Sequence, residues 1–300
     1  MSGGSASLRA AIAGQAPMLV APGVYDALTA RLVAARGFDA VYMTGAGTAA
    51  AYGYPDYGLL TMSEMVANAT RIAQVVDRPV IADADTGYGN ELNVVRTVRA
   101  FAHAGVAAIH IEDQAFPKRC GHLVGKEIVE RDVWLRKIRA ACESRLDPDF
   151  VIIARTDARA VAGFDEAVER ANRALTAGAD VAFVEAPETI EEIEEIPRLV
   201  EGPCLFNVVP GGRSPEVRLD ALAQWGYRIA ILPGALLGPV VIACDQALAS
   251  ITGEEPVTPE HEGAGPAAFF GRAGGGEWDK LQERYAAFDP VSASPVEERP

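Results

Sequence analysis

The sequence predicts a (β/α)8 barrel of the TIM type with an additional C-terminal helix, and two observations carry that prediction. Eight short apolar, β-branched runs are each followed by a segment with helical spacing of apolar residues. Alternating βα units imply a parallel sheet, and eight of them imply a closed barrel. The runs are also punctuated regularly: the odd-numbered ones are entered through proline and the even-numbered ones through glycine. Proline stops a helix without joining the sheet ladder, and glycine suits the left-handed position just past a helix.

In order, the runs place their polar residues at the end where barrel chemistry sits. MLVAPGV (18–24) follows Pro17, and AVYMTG (40–45) follows Gly37 and closes on Tyr42 and the Thr44-Gly45-Ala46-Gly47 stretch. PVIADAD (79–85) begins at Pro79 and closes on Asp83 and Asp85; AAIHIED (107–113) follows Gly105 and closes on Glu112 and Asp113. FVIIARTD (150–157) follows Pro148 and closes on Arg155 and Asp157, and VAFVEAP (181–187) follows Gly178 and carries Glu185. CLFNVV (204–209) follows Pro203 and carries Asn207, and YRIAILPG (227–234) follows Gly226. LLGPVVIACDQALASI (236–251) reads as the last barrel helix. The barrel domain is assigned to residues 1–252, a Gly/Pro-rich linker to 253–276, and a helix with a disordered tail to 277–300.

Composition narrows the partners. A formal charge of −14 and a pI near 4.8 argue against a polyanion, since nucleic-acid binding draws on clustered Lys and Arg. No stretch approaches the roughly 20 apolar residues that span a bilayer, and MSGGSASLRA lacks a signal-peptide run, so a cytoplasmic location is expected. Cys120, Cys142, Cys204 and Cys244 show no CxxC pattern, which leaves neither a disulfide framework nor a structural zinc site. The last three are expected in the core.

Asp83 and Asp85 are two apart on a strand, so both should face the barrel mouth. Crowded with Glu112, they would repel unless a cation joined them, and oxygen-only ligands favour Mg²⁺, with Mn²⁺ as a substitute. The alternative is a turn-rich loop of solvated acids. Arg155 can hold a substrate carboxylate with its fork or pair with Glu185, and the two roles are compatible. Asn207 and the TGAG loop can offer donors to an oxyanion, although TGAG alone could be a tight turn. The loop FPKRCGHLVGKEIV (116–129) sets Cys120 among Lys118, Arg119 and His122, where positive charge favours a thiolate, and it can fold over the site as a lid. Zinc at Cys120 and His122 would need two further soft ligands.

The stretches DADTGYGN, IEDQAFPKRCGH, ARTDAR, FVEAP and YMTGAGTAAAYGYPDYGLLT resemble the isocitrate lyase and phosphoenolpyruvate mutase superfamily over residues 8–250, and its short members in particular. The resemblance implies a Mg²⁺-dependent barrel, usually a homotetramer with helices exchanged between subunits, that acts on a small di- or tricarboxylate. It makes Asp85 a direct or near-direct metal ligand, with Asp83 and Glu112 acting largely through water. Tyr42, Thr44, Gly45 and Ala46 would hold an α-keto-acid portion, with Asp56, Lys118, Gly121 and Asn207 also at the substrate and Arg155 on its carboxylate. Cys120 would be the general acid that protonates the carbanion after carbon–carbon cleavage, supported by His122 and Glu185. The activity so implied is cleavage of a 2-hydroxy di- or tricarboxylate, of the 2-methylisocitrate or substituted-malate type, into a 2-keto acid and a second carboxylate. Oxaloacetate hydrolysis or decarboxylation, a carboxyphosphonoenolpyruvate phosphonomutase, and a non-catalytic dicarboxylate-binding barrel are the alternatives. Three departures bear on the substrate: Ala46 stands where many relatives have serine, LPGALLGP differs from several lyases, and FNVVPGGRSP resembles the alkylmalate lyase and phosphonomutase branches.

Overall fold

The computed structural model describes residues 3–118, 121, 125–251 and 271–287. Eight strands close into a parallel barrel in chain order: β1 Leu19–Val24, β2 Val41–Met43, β3 Val80–Asp83, β4 Ala108–Glu112, β5 Val151–Thr156, β6 Val181–Val184, β7 Cys204–Asn207 and β8 Ile229–Leu232. Every expected run contains its strand, and β8 returns to pair with β1 through Leu19 opposite Ile229. The strands are shorter than the apolar runs because the polar residues closing several runs leave the ladder for the loops.

Helices fill the intervals. The principal ones are α1 Gly3–Ala10, α2 Ala27–Ala35, α3 Gly45–Ala51, α4 Met62–Ala73, α5 Glu91–His103, α6 Arg131–Glu143, α7 Arg159–Ala162, α8 Phe164–Thr176, α9 Ile190–Leu199, α10 Leu219–Trp225, α11 Leu237–Ile251 and α12 Gly275–Ala286. Local chemistry starts several of them. Thr61 and Glu64 form a reciprocal capping box at α4, and Asn90 and Asn93 do the same at α5, satisfying first-turn amides that have no helical acceptor. Trp134 of α6 is fully buried and ties that helix to β4 by donating Nε1–H to the Ile111 carbonyl at 3.5 Å.

Inside the barrel a cluster of inward side chains, among them Ile81, Val151, Ile153, Phe183, Leu205 and Ile231, includes Leu8, Ala11 and Ile12 from the N-terminal segment. Helix α1, which had no counterpart among the expected elements, therefore plugs the end where the strands begin. Arg9 fastens it there, with Nη1 3.0 Å from Asp180 Oδ1 and Nη2 donating to the Phe150 carbonyl at 3.2 Å. With that end closed, the opposite mouth is left for chemistry.

The chain divides into two compact units, Met1–Ala247 and Leu248–Pro300. Of the expected linker only 271–276 is described, and Gly275 and Gly276 already belong to α12, two residues earlier than the spacing indicates. Glu277 in that first turn complements the helix dipole. Residues 252–270 and 288–300 lie outside the described residues. Among the described residues no helix is long and apolar enough to cross a membrane. Of the three cysteines expected in the core, Cys204 is buried and Cys142 half-buried, but Cys244 is exposed. It lies on α11, where Val240, Val241 and Ile242 are exposed as well.

Candidate active site

The two aspartates of DADTG reach the mouth by a different route from the one their spacing suggests. β3 ends at Asp83, and Asp85 stands beyond it in the left-handed region at φ 47°. Strand alternation therefore does not aim Asp85; a tight turn does. The Asp85 amide donates to Asp83 Oδ1 at 2.9 Å, and the Glu112 amide donates to the Asp85 carbonyl at 2.9 Å, drawing the three acids together. A non-glycine residue at positive φ costs about 1–3 kcal/mol and persists where surrounding structure enforces it, often at functional sites. All three carboxylates are buried.

Three cations enter this acidic mouth, and one of them, Lys126, pairs with Asp157 at 2.7 Å. Lys118, at 3% exposure, bridges Asp56 and Asp85, with Nζ 2.9 Å from Asp85 Oδ1. Arg155, at the end of β5, spans three acids: Nη1 lies 3.3 Å from Glu112 Oε2, Nε 2.9 Å from Asp157 Oδ2, and Nη2 3.6 Å from Glu185 Oε1. Its guanidinium also stacks 5.3 Å from the centre of the Phe183 ring, its neighbour across the β5–β6 register. Asn207 of β7 donates Nδ2–H to both Glu185 oxygens at 3.2 Å, while its buried Oδ1 has no hydrogen-bond partner. On the inner wall, Tyr42 Oη lies 2.9 Å from His110 Nε2, which is 3.6 Å from Asp83 Oδ1. Burial depresses the His110 imidazole below its ordinary pKa, so a neutral ring meets the tyrosine.

Charge at the mouth does not balance. Asp56, Asp83, Asp85, Glu112, Asp157 and Glu185 are gathered there against Lys118, Lys126 and Arg155, six acids to three bases among the described residues. Burial pushes the Asp85 carboxyl up to about 6, with the charge of Asp83 adding to it and Lys118 opposing. Burial likewise lifts Glu112 well above the carboxylate range despite Arg155, and neither Glu112 oxygen has a hydrogen-bond partner. Lys118 and Arg155 are raised well above their usual values by the surrounding acids, which outweigh burial. Buried, orphaned carboxylate oxygens in an all-oxygen set are what a hard divalent cation requires, so Asp83, Asp85 and Glu112 fit a Mg²⁺ or Mn²⁺ ion. Among the described residues no three acidic, histidine or cysteine side chains already form a metal-ligating group, and Lys118 Nζ sits against Asp85 instead.

The TGAG segment is not a loop: Gly45 opens α3, with Thr44 as its N-cap accepting from the Gly47 amide at 3.3 Å. A Cβ on Gly45 would collide with the Asp83 carboxylate, so the bare backbone lets the helix start pack on the acid. Ala46 is half-buried in the same turn, and Gly45, Asp56 and Asp85 line one small crevice. Gly121 is buried against Arg155: a Cβ there would collide with Glu185 Oε1 and lie 2.5 Å from Arg155 Nη2. Cys120, His122 and Arg119 lie outside the described residues. The structure adds four residues that had no assigned role. His110 and Asp113 were readable as polar residues in a strand run and Asp157 as a strand end; nothing local distinguished Lys126. A cavity of about 220 Å³ opens beside β7, lined in part by Asn207, Val209, Ser214 and Val217.

Residues 8–252 match the family described as phosphoenolpyruvate phosphomutase. The chain is 53% identical over 219 residues to a 2,3-dimethylmalate lyase of Eubacterium barkeri, covering 73% of this chain and 76% of that protein. A crystal structure of 2,3-dimethylmalate lyase, described as a member of the PEP mutase/isocitrate lyase superfamily, superposes with a TM-score of 0.91 at 41% identity, covering 97% and 98% of the two chains. Oxaloacetate acetylhydrolase bound to 3,3-difluorooxalacetate is similar at a TM-score of 0.90 and 38% identity, over 95% and 98%. A phosphonopyruvate hydrolase complexed with oxalate and Mg²⁺ follows at 0.81 and 29%, over 94% and 99%.

Proposed function

The chain belongs to the phosphoenolpyruvate phosphomutase family, and from that premise we propose that it is a Mg²⁺-dependent carbon–carbon lyase cleaving a 2-hydroxy di- or tricarboxylate into a 2-keto acid and a second carboxylate. The observation that carries the reading is the buried excess of carboxylates beside a multiply anchored arginine at the barrel mouth. The 53% identity to a 2,3-dimethylmalate lyase supports cleavage of a substituted malate in particular.

Asp85, with Asp83 and Glu112, would hold the ion, and the Lys118 ammonium competes for the same Asp85 oxygen. When bound, Mg²⁺ would supply Lewis-acid stabilisation of negative charge on substrate oxygen. Arg155 would hold the substrate carboxylate: Asp157 fixes the guanidinium from behind, and an anion arriving at its remaining edge replaces the weak Glu185 contact at 3.6 Å. Tyr42 and the first turn of α3, including Thr44, Gly45 and Ala46, line the keto-acid side. Asn207 is oriented by Glu185. Cys120 would return a proton to the departing carboxylate fragment, supported by His122, with Lys118 and Gly121 in the same loop. The active assembly is proposed to be a homotetramer, which the exposed Val240, Val241 and Ile242 on α11 support.

The test is a substrate panel of 2-methylisocitrate, 2,3-dimethylmalate, 2-alkylmalates and oxaloacetate, with every product followed by NMR. A keto acid appearing in equal amount with a second carboxylate identifies the lyase and its substrate. Oxalate and acetate from oxaloacetate alone would assign the chain to hydrolysis instead, a reading that the 38% identity to oxaloacetate acetylhydrolase keeps in contention.

A further inference from the structure

Lys126 lies in the chain segment that leads back from the KRCGH motif to α6. Its side chain is 1% exposed, and an ammonium buried to that degree must have partners. Both of its partners belong to the mouth. Nζ donates to Asp157 Oδ1 at 2.7 Å and to the Gly121 carbonyl at 2.5 Å.

Asp157 is the residue that sets the pose of Arg155. Its Oδ2 accepts Arg155 Nε–H at 2.9 Å and its Oδ1 accepts Nη2–H at 3.3 Å, a two-point fork that fixes the guanidinium in plane and rotation. Oδ1 is thus shared between two cations, Arg155 and Lys126. The backbone of Asp157 is held separately, its amide donating to Asp113 Oδ1 at 2.8 Å, so that Lys126 bears on the carboxylate torsion alone. At the other partner, Gly121 packs so closely on Arg155 Nη2 and Glu185 that no Cβ fits between them. One ammonium therefore holds both the carboxylate behind the arginine and the backbone lying against it.

We propose that Lys126 is a positioning residue that acts through Asp157 and Gly121 to hold the Arg155 guanidinium in its carboxylate-binding pose; this rests on the role given to Arg155 above. Lys126 does not touch the substrate. Without it the Asp157 carboxylate is held in rotation only by Arg155 itself, and the two can shift together toward Glu112 and Glu185, which compete for the same guanidinium.

The test is calorimetric titration of oxalate at saturating Mg²⁺ into wild type, Lys126→Met, Arg155→Lys and the double variant, with a urea midpoint for each. Wild type binds oxalate, and Lys126→Met weakens it by about ten- to a hundred-fold, the range for one charge-assisted hydrogen bond. In the Arg155→Lys background the same change alters affinity by less than about two-fold, because the pose it maintains is already lost. A purely structural lysine would lower the urea midpoint and leave the oxalate affinity of the folded protein unchanged in both backgrounds, and that result overturns the proposal. Should Lys126→Met not fold, Lys126→Gln is read in its place, keeping one donor of similar size: a smaller but Arg155-dependent loss supports the proposal, and unchanged affinity overturns it. Wild type failing to bind oxalate with Mg²⁺ is a separate result, which overturns the Arg155 role and the lyase reading themselves.

Discussion

Asp157→Asn is the perturbation whose consequence the structure states most fully. The wild-type carboxylate is fully buried and accepts three charge-assisted hydrogen bonds, two from Arg155 and one from Lys126. Although burial works against ionisation, Arg155 and then Lys126 bring its carboxyl from the ordinary 3.8 down to about 2. That difference is worth about 2–3 kcal/mol of folding stability. Because the folded value lies below the unfolded one, this contribution is complete above pH ~4 and is lost as pH falls through about 2. Asparagine keeps the shape but offers one acceptor oxygen to two cations, leaving a buried charge short of a partner, so the expected loss is about 3–5 kcal/mol. Urea unfolding of both proteins in EDTA at pH ~8 measures it, above the titration of the neighbouring Asp113, whose carboxyl is raised to about 6 by burial and then by this same Asp157 charge. A loss under about 1 kcal/mol would refute the reasoning.

Two further expectations follow from the same mouth. Asp113 is buried, accepts from Thr156 Oγ1 at 2.6 Å, the Asp157 amide at 2.8 Å and Arg170 Nη1 at 3.1 Å, and is raised to about 6 by burial and then by the charge of Asp157. A carboxyl raised on folding removes stability as pH climbs from its unfolded value toward the folded one. The stability gap between wild type and Asp113→Asn should therefore narrow by about 2 kcal/mol between pH 4 and pH 6.5, and a gap constant with pH in urea titrations contradicts this. Gly45→Ala drives a methyl into the Asp83 carboxylate, and Mn²⁺ titration followed by electron paramagnetic resonance should show affinity reduced by about ten-fold or more, with the urea midpoint changed far less. Equal Mn²⁺ affinity would separate Gly45 from the metal acids.

All eight strands were legible because each needs a run of apolar residues that is buried on both faces, and such runs survive as local patterns in sequence. The polar residues at their ends were legible for the complementary reason, since Asp83, Glu112, Arg155, Glu185 and Asn207 interrupt those patterns at the same edge. Asp85 was located correctly at the mouth but for the wrong cause: alternation assumes a strand, and the chain has already turned through positive φ there. Helix α1 escaped notice because GGSASLRA carries few apolar residues, and Leu8 becomes a core residue only once a barrel exists to be plugged. Long-range pairing hid the rest. His110 meets Tyr42 across 68 residues and Lys126 meets Asp157 across 31, separations at which no periodicity or spacing rule connects two side chains.

The proposed function requires the buried acids to hold a divalent cation in the service of carbon–carbon cleavage, and one measurement addresses that directly. Wild-type protein stripped with EDTA is given the substrate identified by the panel, and keto acid and second carboxylate are quantified together before and after Mg²⁺ is restored. The expected result is no turnover in the stripped protein, and both products in one-to-one ratio once Mg²⁺ returns. Equal turnover with and without the ion, or a keto acid released without its partner, would contradict it.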